Sequence, residues 1–154
     1  MRTVIVAVQL LTAFFAQAQQ TKTIEATRQD WSGGIAGRHG SNYRFVVRFE
    51  GITPTIQPDT LWIDGEAIAL ENSRDRSGSY KISERGGRTY CEIAVRIARN
   101  EYHHLYGPDG RKQPKARPPI NYKGVALLRY KKNGQADYYV IEKILKHAPP
   151  VNYP

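Results

Sequence analysis

The sequence predicts an all-β protein, an antiparallel β-sandwich, on three observations. Apolar and polar residues alternate with period two in segment after segment, as strands with one buried face require. Asp64-Gly65, Gly86-Gly87 and Asn133-Gly134 fall between such segments, where two-residue hairpin turns demand positive φ. No stretch between them offers ten residues of helical periodicity.

The chain opens with Met1 and Arg2, followed by an uncharged run from Val4 to Phe15 and then Ala16-Gln17-Ala18. Twelve residues of helix rise about 18 Å, too short for a hydrocarbon core of about 30 Å. A short positive start, an apolar run and small residues at its end mark residues 1–18 as a cleavable secretory signal peptide. The expected destination is outside the cytoplasm, periplasmic or secreted, with no transmembrane span in the mature chain. What remains suits a single domain over 19–147, with 148–154 as an extended C-terminal tail.

Eight strands are expected, near 21–28, 42–50, 59–63, 66–70, 79–83, 88–98, 123–131 and 136–145. In the second, Tyr43, Phe45, Val47 and Phe49 share one face, and Arg44, Arg48 and Glu50 the other. In the sixth, Cys91, Ile93, Val95 and Ile97 face the core, with Glu92 and Arg96 opposite. Number and length of strands suit an immunoglobulin-like arrangement, although the paired cysteines of antibody domains are missing. A small closed β-barrel is the alternative, because alternation does not say whether a sheet closes.

Between the first two strands, Gly33, Gly34, Gly37 and Gly40 invite a phosphate-loop reading. No lysine follows them as a P-loop requires, and a strand follows where a dinucleotide fold needs a helix. The glycines read as a turn, with Arg38 and His39 displayed on it as candidate ligand contacts.

The formal net charge is +9. Outside the cytoplasm that charge suits an acidic glycan, a lipid headgroup or an acidic face of an envelope or secreted protein, and nucleic acid falls in rank. A basic, proline-rich connection, 107–119, gathers Arg111, Lys112, Lys115 and Arg117, bracketed by Tyr106 and Tyr122. Guanidinium forks bind carboxylate and phosphate, and tyrosines give flat amphipathic contact. These eight residues are the candidate ligand-binding set. They point to an interaction module with no cofactor.

The competing reading is a small periplasmic enzyme or metal-binding protein using surface histidines. Cys91 lies on the core face, and no serine elbow or metal-binding motif occurs. His103, His104 and Asp109 are weak metal candidates, since adjacent side chains on an extended chain point to opposite faces. A third reading is an accessory domain whose exposed edge strand extends a partner's sheet.

Overall fold

The computed structural model describes residues 21–33, 38–49, 51, 54–72, 78–100 and 117–154. The expected leader, the centre of the glycine connection (34–37) and residues 101–116, which include most of the basic connection, lie outside the described residues. Among the described residues there are nine strands: β1 Lys22–Gly33, β2 Arg38–Phe49, β3 Ile56–Ile63, β4 Glu66–Ala69, β5 Gly78–Arg85, β6 Arg88–Asn100, β7 Ala126–Lys132, β8 Gln135–Ile141 and β9 Lys146–Tyr153. They form two sheets, ordered β5-β6-β2-β1-β9 and β4-β3-β7-β8. The sheets pack face to face without closing, so the molecule is a sandwich and the barrel alternative is set aside.

The order β5-β6-β2-β1 facing β4-β3-β7-β8 is the immunoglobulin-like one, D-E-B-A against C′-C-F-G. The expected alternation builds the core: Tyr43, Phe45, Val47 and Phe49 of β2 and Cys91, Ile93, Val95 and Ile97 of β6 meet Leu61, Ile63, Leu128 and Ile141 of the other sheet. All three glycine turns adopt the left-handed geometry that two-residue hairpins need, with φ of 51° and 80° at Asp64-Gly65, 57° and 68° at Gly86-Gly87, and 51° and 85° at Asn133-Gly134.

Two features differ from the sequence expectation. The segment read as a tail is a ninth strand, running parallel to β1 from Thr27 opposite Lys146 to Gly33 opposite Tyr153. The chain crosses from β8 to reach it, and the Leu145 amide donates to the Ala26 carbonyl at 2.8 Å. Gly40 is not a turn residue. It sits within β2, where an added Cβ would strike the Ile97 carbonyl oxygen and come within 2.7 Å of the Trp31 ring.

Three of the four sheet edges, β9, β4 and β8, are guarded. β9 carries Pro149-Pro150 at its register shift, and β4 is four residues long. On β8 the Asp137 carboxylate accepts the Tyr138 amide at 2.8 Å and the Tyr130 hydroxyl at 3.0 Å, occupying a donor in the middle of that strand. Edge pairing with a partner is therefore poorly served at these three edges.

Candidate functional site

The connections divide unequally between the two ends of the sandwich. At one end the Gly86-Gly87 and Asn133-Gly134 turns are tight. There Thr55 and Asn133 join the chain crossing between sheets, Asn133 N–H to the Thr55 carbonyl and Thr55 N–H to the Asn133 side chain, both at 2.9 Å. The other end carries the glycine connection, the Asp64-Gly65 turn and both stems of the basic connection. There Ser32 stands opposite His39 and Arg38 opposite Asn100.

That loop-bearing end is tied across the two sheets by one carboxylate. Asp64 accepts the Tyr43 hydroxyl at 2.7 Å and the Arg99 guanidinium at 2.9 Å. Positive φ at Asp64 holds it in the turn, and a charge-assisted bond of this kind is stronger than a neutral one. Burial, then the bond to Asp64, pushes the Tyr43 phenol up to about 12. Tyr122, beside the same carboxylate, is also raised, chiefly by burial. Its hydroxyl donates to the Trp62 carbonyl at 3.4 Å, which ties the returning segment 117–125 to β3.

Register fixes a second surface at this end, on the outer face of the five-stranded sheet. Trp31 is opposite Gly40, Gly40 opposite Ala98, and Asn42 opposite Arg96, so all five point away from the core. The missing side chain at Gly40 lets the indole lie against the strand. The Arg96 guanidinium stacks on that indole at 4.5 Å from the ring centroid. Tyr153 meets it edge-on at 6.4 Å. Trp31 is 6% exposed and Tyr153 47%. The indole Nε1–H is buried and has no acceptor.

Three arginines in the described residues stack on aromatic rings. Arg28 lies over Tyr43 and Arg129 over Trp62, and each also grips a carboxylate, Asp30 at 2.9 Å and Asp59 at 2.6 Å. Arg96 stacks and has no ion-pair partner among the described residues. Lower on the same face four charges pair with one another, while Arg48 and Lys81 have no ion-pair partner among the described residues. Arg44 lies 3.6 Å from both Glu25 and Glu92, and Arg85 3.7 Å from Glu92, a ladder running across four strands. A shallow depression of about 350 Å³ beside Arg44, Lys81, Ser79 and Ala94 is thus walled partly by charges that are already paired.

Of the candidate residues, Arg38 and His39 are exposed at the start of β2, and Arg117 is exposed where the basic connection returns. Tyr122 is half-buried against β3. Tyr106, Arg111, Lys112 and Lys115 lie outside the described residues, as do His103, His104 and Asp109. Among the described residues no three of His, Cys, Asp and Glu gather as a metal site. Cys91 is fully buried and its thiol is pushed up to about 12 by that burial, the state of an unreactive core residue.

Sequence reasoning missed Trp31, Arg96, Tyr153 and the Asp64 bridge. The alternation that set Arg96 opposite Cys91 was the available signal for one of them. No family model, no curated protein and no solved structure matches the chain.

Proposed function

We propose that this protein is a small exported binding module, acting in the periplasm or after secretion. Its ligand is acidic: a glycan, a lipid headgroup or the acidic face of an envelope or secreted protein. The loop-bearing end of the sandwich makes the contacts, through Arg38 and His39 on one connection and Arg111, Lys112, Lys115 and Arg117 on the other. Tyr106 and Tyr122 flank the latter.

The observation that supports this reading is the pairing of Arg38 with Asn100, which brings the stems of the two connections side by side. Loops grouped at one end of a rigid sandwich are the usual place for recognition in this architecture. The net charge of +9 favours a polyanion and speeds encounter with one.

The test is reversal of Arg111, Lys112, Lys115 and Arg117 to glutamate in the mature chain. Retention on immobilised heparin at physiological salt should disappear while the melting temperature stays within a degree or two, as expected of surface changes. Retention that survives the reversal contradicts the assignment of the basic connection.

A further inference from the structure

We infer that the outer face of the five-stranded sheet, at its loop-bearing end, binds a carboxylated sugar of an acidic glycan. Tyr153 supplies the flat platform, and Arg96 with Arg38 takes the carboxylates. This rests on the reading of an acidic ligand above and names its chemistry and a surface separate from the basic connection.

Arg96 is the centre of the surface. Stacking on Trp31 fixes its guanidinium and leaves the hydrogen-bonding edge of the fork available to a planar carboxylate. The fork has no carboxylate within the described residues, unlike those of Arg28 and Arg129. Arg38 points to the same side of β2, two positions from Gly40, exposed and without an ion-pair partner among the described residues. The Trp31 indole over Gly40, and the small Ala98 beside it, lie between the two cations.

The aromatic component favours a sugar. Tyr153 is half exposed and packs T-shaped against the Trp31 ring, so its position is set before a ligand arrives. Sugar rings present C–H faces that lie flat on such a platform. A membrane surface would instead need apolar side chains that enter the acyl boundary. Here Tyr153 is the sole large exposed hydrophobic among Trp31, Gly40, Arg96, Ala98 and their neighbours on β9.

The experiment uses the mature chain carrying Trp62→Phe, so that Trp31 is the one tryptophan reporting by fluorescence. Hexagalacturonate is the probe, with maltohexaose as the uncharged control and phosphatidylglycerol vesicles as the lipid arm. Hexagalacturonate should change Trp31 emission saturably, more weakly as salt rises, and maltohexaose should not. Arg96→Gln and Tyr153→Ala should each weaken binding about tenfold or more. Arg38→Gln, which removes no observed contact, should weaken it with the melting temperature unchanged and so guards against a folding artefact.

If the four-residue reversal in the basic connection abolishes hexagalacturonate binding while the Arg96, Arg38 and Tyr153 variants bind normally, the sheet-face assignment is overturned and the loop assignment stands. The opposite pattern supports the sheet face and removes the loop. Binding of vesicles without hexagalacturonate overturns the sugar in favour of a lipid headgroup. No response to either anion overturns both assignments.

Discussion

Two bands of one sheet face use arginine in opposite ways. In the lower band Glu25, Arg44, Glu92 and Arg85 alternate in sign across neighbouring strands, and each charge has a partner. In the upper band Arg96 is held by an indole and Arg38 by nothing, with no carboxylate beside either in the described residues. Exposed pairs contribute at most about 1 kcal/mol each, so the ladder chiefly neutralises its own four charges and adds little to stability. An uncompensated cation on an aromatic mount adds little to folding and leaves its hydrogen-bonding capacity for an outside anion. The difference teaches that the useful quantity is charge left over after local pairing, which net charge alone does not locate.

The largest effect should come from filling the space under Trp31. Gly40→Val drives a side chain into the Ile97 carbonyl and the indole. It should cost about 2–4 kcal/mol in denaturant unfolding and release Arg96 from its mount. A neutral result would mean that the indole does not lie on β2, and the contrast between the bands would collapse.

Asp64→Ala comes next. It leaves the buried Tyr43 hydroxyl and the Arg99 guanidinium without their shared acceptor, and should cost about 2 kcal/mol. The pH dependence sharpens this. Tyr43 titrates near 12 in the folded chain against about 10 unfolded, so its contribution is complete below pH 10 and lost as pH rises from 10 to 12. Removing Asp64 should lower the folded value, narrowing that window, as followed by phenolate absorbance. An unchanged Tyr43 titration would show burial acting alone.

Arg44→Ala should have the smallest effect. Loss of two exposed contacts at 3.6 Å should change stability by about 1 kcal/mol or less, and by still less in high salt. It should leave anion binding intact. A loss of binding comparable with that of Arg96→Gln would erase the distinction between the bands.

Much of the sandwich was legible in the sequence because alternation and turn chemistry agree wherever a strand has one buried face. Phe45, Val47, Ile93 and Ile97 announce their own orientation, and Asp64-Gly65 and Asn133-Gly134 their own turns. β9 was hidden for a physical reason: an edge strand buried on neither face needs no alternation, and Pro149-Pro150 reads as a chain end when it acts as an edge guard. The upper band was hidden for another. Alternation says that Trp31 and Arg96 each leave the core face, yet only the register of β1, β2, β6 and β9 brings them and Tyr153 to one point. The Asp64 bridge was hidden because its partners, Tyr43 and Arg99, come from the opposite sheet.

The most direct measurement is residue-resolved amide chemical-shift mapping of the mature chain titrated with hexagalacturonate. Perturbations should concentrate at Trp31, Gly40, Arg96, Ala98 and Val151 to Tyr153, include the Trp31 indole N–H, and leave Glu25, Arg44 and Glu92 still. Shifts confined to the ladder, or none at concentrations where binding is seen by other means, would contradict the account.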